Sequence, residues 1–583
     1  MDQSRSRLNI IFTVIFALYC LIGMHYFQHN QGGAGLDLPM NPVAWCFISI
    51  LIGLGLWQIS IVQIIRYNVM SIAGFVAFAL LVIPVFYANG TFADASYGRL
   101  FGFIGGILLL FAMQQLNFSK QNWLLLLFLI VCAGFIQNLY SLTQMYLLKP
   151  GNMFGYDVNY GRPYGIFQQP NVLASFTATS LLLSCYLIQK WALKGRPALT
   201  AFLLLQCFVS AWVIYISASR TGYLGAVIGL ILISPWLFQQ SRKRFSWLII
   251  AITLGLSMHF IIGDGSVSRN KEELAKAGAR ALQYEQSWHM MLEKPLTGWG
   301  YGNFEASFLT NRAERIQAEG VPFVLENLTH PHNELMYWGV EGGIVPLLGL
   351  LILTLTFMYL LTRFQWRKAL ALLALVFPLT LHSQTEYPFY HAVATWFVFI
   401  VIVTYISFSS KLEKEIIFRP YLLVKSNAIL IPLLTCAFMI SAVHTNYLVT
   451  KFERSGRTDI DLLMRVVNPL ALTTRLEFNI FTLRMLAGEK LNKPEELEAY
   501  IAWASEFVKH TPRANIYYNL AYAYLLLDQE QQSQAVINYA RFLYPNNELL
   551  KADLAEVMRD VEKAPSEVED ILDEVSQPNQ LMK

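Results

Sequence analysis

The chain has 583 residues, of which 55% are hydrophobic and 14% are charged. A soluble protein carries about 25% charged residues, so the composition excludes an ordinary soluble protein. The charge is also uneven, since residues 451–583 hold 15 basic and 21 acidic residues and the first 450 hold only 28 and 18. The sequence therefore predicts a membrane body followed by a soluble tail, and nothing in it suggests nucleic-acid binding.

Apolar runs recur through the membrane body and predict an all-α, polytopic membrane helix bundle. About 13 transmembrane helices are expected. We place them near residues 8–27, 43–63, 70–89, 100–116, 123–147, 171–189, 198–217, 221–238, 246–263, 333–361, 366–382, 392–409 and 427–444. No small-residue cleavage pattern follows the first run, so we interpret it as a retained helix and not as a signal peptide.

Basic residues in alternate loops predict the orientation of these helices, because cytoplasmic loops are enriched in Lys and Arg. The N-terminus and every second loop carry such residues: Arg5 and Arg7; Arg66; Lys120; Lys190, Lys194 and Arg196; Arg242, Lys243 and Arg244; Arg363, Arg367 and Lys368; and Lys411, Lys414, Arg419 and Lys425. This assignment puts the N-terminus inside and the soluble tail outside.

Two of the outer loops are long, covering about 148–170 and 264–332. The second begins with an amphipathic helix predicted over 272–292, which stops before Pro295. The segment GWGYGNF follows, and its glycines and aromatic residues suit either sugar stacking or a plain tight turn. Loops of this length in a compact protein are usually functional.

The soluble tail is predicted to be helical. Residues 512–547 fit one tetratricopeptide repeat, with large, small and helix-breaking residues at Tyr517, Leu520, Ala521, Tyr524, Ala540 and Pro545. We therefore divide the chain into N-terminal transmembrane helices (1–147), a membrane core with the loop 264–332 (148–444), and a tetratricopeptide-like helical domain (445–583).

The cysteines argue against disulfide or zinc chemistry. All six lie inside apolar runs, and the sequence contains no CxxC. It also lacks a Walker loop, an HExxH motif and a DxD motif. We expect neither a metal nor a cofactor.

Ionisable residues at the outer ends of the membrane helices are the candidates for chemistry, because charge at membrane depth is costly. They are Arg162, Arg220, Arg280, His330, His332 and Glu334, with Glu386 as a possible further member. Several arginines at one cavity form an anion site, and a nearby histidine can take a proton at neutral pH. This set fits displacement of a diphosphate leaving group by a hydroxyl. Each residue also has a structural reading, such as capping a loop or anchoring the interface.

Four segments resemble the bacterial O-antigen ligase and polymerase superfamily: RPYGIFQQPNVLA, SASRTGYLG, RALQYEQSWHMMLEKPLTGWGYGNF and HPHNELMYWGVEGGIVPLLGL. Within it, the chain most resembles the protein O-oligosaccharyltransferases of the pilin-glycosylating type, over about residues 150–410 and more loosely in the tail. The resemblance implies a GT-C-like, multi-pass membrane enzyme of the bacterial inner membrane, with its C-terminal helical domain in the periplasm. Such an enzyme moves a preassembled glycan from undecaprenyl diphosphate to a Ser or Thr of a periplasmic protein or pilin.

The resemblance also implies roles for individual residues. His332 matches the essential histidine and would act as general base, although the HPH doublet leaves His330 as an alternative. Arg162, Arg220 and Arg280 would hold the diphosphate. Secondary contacts are expected from Gln168, Asn171, Tyr301 and Asn333. Glu334 is a further candidate from the residues themselves: it shares a helix face with Glu341, seven residues on, and one of the two pairs an arginine or does acid–base work.

Four other functions compete with this interpretation. An O-antigen ligase would act on lipid A–core, and a polymerase would extend the glycan. The tail argues against both, because a tetratricopeptide-like module is a typical peptide-binding surface. A lipid or solute transporter would also collect arginines in a cavity. It predicts charges at the bilayer midplane and internal repeats, and the sequence shows neither. A scaffold would leave the arginines unexplained.

Overall fold

The computed structural model describes residues 2–87, 89, 91–190, 196–262, 277–321 and 327–551, and this part of the chain is almost wholly helical. The helices before the long outer loop are α1 (Asp2–Leu21), α2 (Met40–Val62), α3 (Val69–Val82), α4 (Tyr97–Gln115), α5 (Lys120–Tyr146), α6 (Pro170–Lys190), α7 (Pro197–Ile216), α8 (Arg220–Gln240) and α9 (Arg242–Ile262). Those that follow are α10 (Ala277–Glu293), α11 (Phe304–Glu319), α12 (Glu334–Gly342), α13 (Ile344–Leu361), α14 (Trp366–Ser383), α15 (Pro388–His391), α16 (Val393–Ser409) and α17 (Tyr421–Arg454).

The remaining elements are the tail helices and a few short turns. The tail contains α18 (Asp461–Met464), α19 (Thr473–Lys490), α20 (Pro494–His510), α21 (Ala514–Leu526), α22 (Glu530–Leu543) and α23 (Glu548–Lys551). Single 3-10 turns occur at Gly23–His25, Gly35–Asp37, Ile83–Phe86, Ala93–Ser96, Val158–Tyr160, Gly165–Phe167 and Pro469–Ala471. Strands β1 (Ile64–Tyr67) and β2 (Lys414–Ile417) form one antiparallel pair, with Ile64 opposite Ile417.

The prediction of a multi-pass helical membrane protein is confirmed. In the described residues, 11 helices are long and apolar enough to cross a membrane, against the 13 expected. The two predicted spans that are not among these 11 helices, 366–382 and 392–409, correspond to α14 and to the shorter apolar helix α16. Both lie inside the bundle: α14 packs on α6 and α8, and α16 packs on α2 and α4.

The single span predicted over 333–361 is wrong, because the helix breaks at Gly343 into α12 and α13. Gly343 has φ 69° and ψ −149°, which glycine adopts without a steric penalty. A Cβ at this position would lie 2.3 Å from the carbonyl oxygen of Leu296, so the break also admits the neighbouring loop. As a result α12 is a separate helix, and its second half, from Trp338 to Gly342, is buried.

The two ends of the bundle differ in their charged residues. At one end, which we name the basic end, Lys120, Lys190, Lys368 and Lys411 lie close enough to interact electrostatically. The strand pair belongs to the same end, since β1 and β2 come from loops predicted to be cytoplasmic and Arg66 bonds Glu415 at 2.8 Å. The opposite end, the site end, is reached by the starts of α6 and α8 and the end of α14.

The C-terminal helices rest on the site end. Helix α17 continues to Arg454, so the boundary predicted at 444 falls inside a helix. Helices α19 to α22 pack each against the next. An ion pair between Arg513 and Glu305 joins this domain to α11, and the ring of His510 lies 4.9 Å from that of Phe92. The tetratricopeptide assignment stays a prediction.

Close packing of α8 on α6 sets the position of Arg220, which is the first residue of α8. A Cβ on Gly222 would lie 2.4 Å from the Cβ of Ala174 in α6. We expect Gly222→Ala to lower stability by about 1–3 kcal/mol, because overpacking forces the helices apart. Thermal unfolding in detergent measures the loss. Gly98→Ala in α4 is the control, since nothing lies within 4 Å of that added methyl group. Equal stability of the two variants would contradict the prediction.

Candidate functional site

The carboxylate of Glu386 is the centre of the site end. Glu386 lies in the linker between α14 and α15 and is buried. Its oxygens accept hydrogen bonds from side chains of three separate segments: Gln169 (2.7 Å), Asn171 (2.6 Å), Arg280 (2.6 Å) and His382 (3.1 Å). Glu386 therefore connects the start of α6, the loop helix α10 and the end of α14.

These partners keep Glu386 ionised. Burial alone would raise its pKa, but the hydrogen bond and charge of His382, the charge of Arg280 and the hydrogen bond from Asn171 lower the pKa to about 2. His382 is fully buried, and its Nδ1 lies 2.7 Å from the hydroxyl of Ser175 in α6. The carboxylate is thus a fixed negative charge at neutral pH.

His332 lies beside this carboxylate in a left-handed backbone conformation, with φ 55°. Its ring is partly exposed, and its Nδ1 is buried with no hydrogen-bond partner among the described residues. Burial lowers its pKa; the charge of Glu386 opposes this shift and that of Arg280 adds to it. The imidazole is therefore neutral at pH 7 and can accept a proton.

His330 holds the backbone of His332. Its Nδ1 accepts the backbone N–H of His332 at 2.8 Å, so this nitrogen is unprotonated. The ring is buried against Tyr337 and Tyr387, with centroids 4.6 and 4.8 Å away. Burial, with a smaller effect from the nearby His332 and Arg99, puts its pKa well below the ordinary histidine value. These contacts are those of a structural histidine.

Asn333 and Tyr284 tie His332 to the linker that carries Glu386. The Asn333 side chain caps α12 by accepting the N–H of Met336 at 3.0 Å and donates to the carbonyl of Gln384 at 3.1 Å. The Tyr284 hydroxyl lies 3.1 Å from the carbonyl oxygen of His332 and 3.2 Å from that of Gln384. Asn333 thus holds the start of α12 against the linker that carries Glu386.

Arg162 supports the turn that leads to Arg220. Its Nε donates to the carbonyl of Ser217 at 2.8 Å, and its Nη2 donates to that of Ala218 at 3.4 Å. Arg220 follows at the exposed start of α8. The hydroxyl of Thr221, the next residue, lies 3.2 Å from that of Thr385, which precedes Glu386. The first turn of α8 and Arg280 therefore both contact the linker that carries Glu386, and Arg162 holds the backbone just before α8.

A second buried cluster lies behind His330 and centres on Arg99, in the first turn of α4. Arg99 forms an ion pair with Glu341 of α12, and both side chains are less than 10% exposed. The guanidinium lies 4.0 Å from the ring centroid of Tyr337 and 4.1 Å from that of Trp338. The other oxygen of Glu341 accepts the N–H of Gly302 at 3.1 Å. Helices α4 and α12 are thereby joined to the glycine-rich loop.

Two of the predicted site residues lie in this second cluster. Tyr301 is fully buried, and its hydroxyl donates to the carbonyl of Leu81 at 2.8 Å. Glu334 accepts a hydrogen bond from Trp338 at 2.6 Å and another from Tyr390. Both side chains are therefore used in packing this cluster, and the structure does not bring them to Glu386.

The segment GWGYGNF is a tight turn. Gly300 and Gly302 have φ 98° and 79°, and an added Cβ would lie 2.2 Å from the carbonyl of Asn89 and 2.1 Å from that of Phe92. Glycine is required because the backbones touch. Of the two readings of its glycines, the tight turn is the one that the structure supports.

The glutamine that reaches Glu386 is Gln169, and not the predicted Gln168. Gln168 has φ 56° and follows the 3-10 turn Gly165–Phe167, so its side chain points away toward a small cavity of about 70 Å³ beside His29. Asn171 donates a hydrogen bond to Glu386, so it contacts the same carboxylate as Gln169. Arg99, His382 and Tyr284 were not predicted, and for His382 the available signal was its position four residues before Glu386.

Removal of either charge of the buried Arg99–Glu341 pair is expected to destabilise the protein. Glu341→Gln keeps the shape and leaves the guanidinium uncompensated, at a cost of about 3–5 kcal/mol. The double variant Arg99→Met/Glu341→Gln removes both charges and should recover part of this loss. SDS-induced unfolding in mixed micelles measures each value. Wild-type stability of Glu341→Gln would exclude the expected effect.

The depressed pKa of Glu386 predicts a pH dependence. A group with a lowered folded-state pKa stabilises the fold above its unfolded pKa, here about 4.5, and this stabilisation is lost as pH falls toward 2. Stability should therefore drop more steeply between pH 4.5 and pH 2 in the wild type than in Glu386→Gln, as followed by thermal unfolding. Glu415→Gln, at an exposed pair, is the control and should keep the wild-type profile.

The sequences of three protein families match the parts of the chain that carry the residues around Glu386. The sequence profile of the family described as "Protein glycosylation ligase" matches residues 163–188, and "O-Antigen ligase" matches 205–351. A third, "Virulence factor membrane-bound polymerase, C-terminal", matches residues 370–556. These ranges contain Gln169 and Asn171, then Arg220, Arg280 and His332, and finally Glu386.

The chain is also similar to a protein of Acinetobacter baylyi named "General O-oligosaccharyltransferase". The two are 25% identical over 256 residues, a stretch that covers 40% of this chain and 41% of the relative. The matched part is thus less than half the length of either protein. Together, the profiles and this protein show that the chain is similar to O-antigen ligases and protein glycosylation ligases, as its motifs predicted.

Proposed function

We propose that the protein is an O-linked oligosaccharyltransferase of the bacterial inner membrane. It moves a preassembled glycan en bloc from undecaprenyl diphosphate to a Ser or Thr of a periplasmic protein or pilin, with inversion and without a metal. The observation that supports this most directly is the meeting of a neutral imidazole, His332, with Arg280 and the ionised Glu386 at one end of the bundle.

The arginines act on the leaving group. A guanidinium has five N–H donors, and the bond to Glu386 uses only one nitrogen of Arg280, whose side chain remains 40% exposed. Arg220 is the first residue of α8, next to Thr221, whose hydroxyl lies 3.2 Å from that of Thr385 in the linker. Two cations at this position neutralise charge that develops on the departing diphosphate, which is how most of the rate enhancement arises in such a transfer.

His332 acts on the acceptor. The acceptor hydroxyl oxygen attacks the anomeric carbon, its proton passes to the imidazole, and the bond between that carbon and the diphosphate oxygen breaks. One displacement inverts the anomeric configuration. Burial favours this role, because it lowers the pKa of His332 and keeps the ring unprotonated at neutral pH. His330 supports the step by holding the His332 backbone.

A protein acceptor is favoured over lipid A–core by the glycosylation-ligase match at 163–188 and by the name of the Acinetobacter relative. The tail does not discriminate against a polymerase, because the virulence-factor polymerase profile extends through it to residue 556. A transporter is disfavoured by the placement of the charges, which lie at helix ends and not at mid-helix.

The test is the intact mass of periplasmic proteins and pilin from cells with and without the gene, beside a lipopolysaccharide gel. A glycan mass lost from protein supports the proposal, and a change confined to lipopolysaccharide overturns it in favour of the ligase.

Complementation with His332→Ala should lower transfer by about 10²–10⁴-fold without loss of membrane protein. His289→Ala, at a half-exposed histidine of α10, should restore transfer fully. Because the pKa of His332 is lowered, the transfer rate should stay level down to about pH 6.5 and fall only below it. Normal transfer by His332→Ala would remove the assignment.

A further inference from the structure

One face of the loop helix α10 and the turn after it exposes a row of large apolar side chains. Trp288 is 54% exposed, Leu292 61% and Leu296 70%. They are spaced four residues apart, so the two helical residues lie on one side of α10 and the third continues their line. A contiguous apolar row of this kind marks an interaction surface. We name it the α10 stripe.

The opposite side of α10 is already covered by protein. Gln283, Gln286 and Met290 are buried, and Gln286 accepts hydrogen bonds from Arg312 and Arg315 of α11. The side between the two faces carries Arg280 and Tyr284 toward Glu386 and His332. Helix α10 therefore binds the protein on two sides and presents the stripe on the third.

The stripe is continuous with the lipid-facing surface of a membrane helix. The N–H of Ile344, the first residue of α13, donates to the carbonyl of Pro295 at 2.9 Å, which puts Leu296 against the start of α13. Helix α13 exposes Ile344, Leu348 and Leu351 by 43%, 44% and 50%. These side chains face lipid in a membrane-spanning helix, so lipid covering them extends onto Leu296 and Leu292.

The first residue of the stripe and a lysine at its border are of the types found at a membrane interface. Trp288 is a large amphipathic ring, a residue type that concentrates at the boundary between acyl chains and headgroups. Lys294 is exposed at the end of α10, and its ammonium group lies 3.7 Å from the ring centroid of Trp299. An apolar stripe bordered by such residues is the pattern of a helix that lies on a bilayer.

We propose that α10 is an interfacial helix, whose stripe of Trp288, Leu292 and Leu296 is inserted among the acyl chains of the lipid leaflet at the site end. The bilayer then covers the one side of α10 that does not contact α11 or the linker carrying Glu386. If the proposed function is right, this contact has a consequence for catalysis. The leaflet that holds the lipid-linked donor also fixes the depth of Arg280 relative to the diphosphate of that donor.

The test measures where nitroxide labels on the stripe lie in protein reconstituted into phospholipid nanodiscs. Labels on Trp288→Cys, Leu292→Cys and Leu296→Cys are compared for collision with oxygen, which concentrates in lipid, and with Ni-EDDA, which stays in water. Leu348→Cys reports the lipid value and Gln532→Cys, on the exposed tail, the aqueous value. Unsubstituted protein gives the background from the six native cysteines.

Labels at 292 and 296 should give an oxygen to Ni-EDDA ratio close to that at 348 and several-fold above the ratio at Glu293→Cys. Glu293 is the matched control because it lies on α10, is 37% exposed and points away from the stripe. Aqueous ratios at 292 and 296 would overturn the proposal. Labels shielded from both reagents would also overturn it, because a protein would then cover the stripe. Neither readout depends on glycan transfer, so the proposed function stands or falls separately.

Discussion

The arrangement of the site end depends on one buried carboxylate. A charge removed from water must be paired and hydrogen-bonded, or the fold cannot retain it. Glu386 meets this requirement only when Gln169, Asn171, Arg280 and His382 converge on it. These residues lie at the start of α6, in α10 and in α14. The hydrogen bonds to this one carboxylate therefore hold three segments together, although Gln169 and Glu386 are 217 residues apart in the sequence. The same bonds hold Arg280 beside His332.

The Arg99–Glu341 pair imposes a similar constraint on the other side of His330. It joins α4 to α12 and, through Glu341, to the glycine-rich loop that follows α10. Helix α10 is therefore fixed at both ends: its start is held by the first carboxylate and the turn after it by the second. Between the two, the ring of His330 packs on tyrosines and its Nδ1 holds the backbone of His332. The position of His332, the candidate base, thus depends on two ion pairs, Arg280–Glu386 and Arg99–Glu341, in which His332 is not a partner.

The parts of this structure that the sequence predicted are those encoded locally. Apolar runs located the membrane helices, and the motifs selected Arg162, Arg220, Arg280, Asn171, His332 and Asn333. The break at Gly343 was missed because a glycine in an apolar run does not itself end a membrane helix. Arg99 was missed for another reason: its partner is 242 residues away, and such pairings leave no periodic signal. Gln168 and Gln169 are adjacent, and only the backbone turn decides which of them faces Glu386.

The two ionisable partners at the site end cannot exchange roles. A carboxylate with a pKa of about 2 is too weak a base to accept a hydroxyl proton near neutral pH, and all of its bonds are already used to position other groups. His332 has the opposite properties, since burial keeps it neutral and its Nδ1 has no bond to a described residue. The charge of Glu386 raises the pKa of His332 and so partly offsets the lowering by burial. Arg280 bonds this carboxylate at 2.6 Å, and on the proposed function its remaining N–H groups would meet the leaving group while His332 takes the proton.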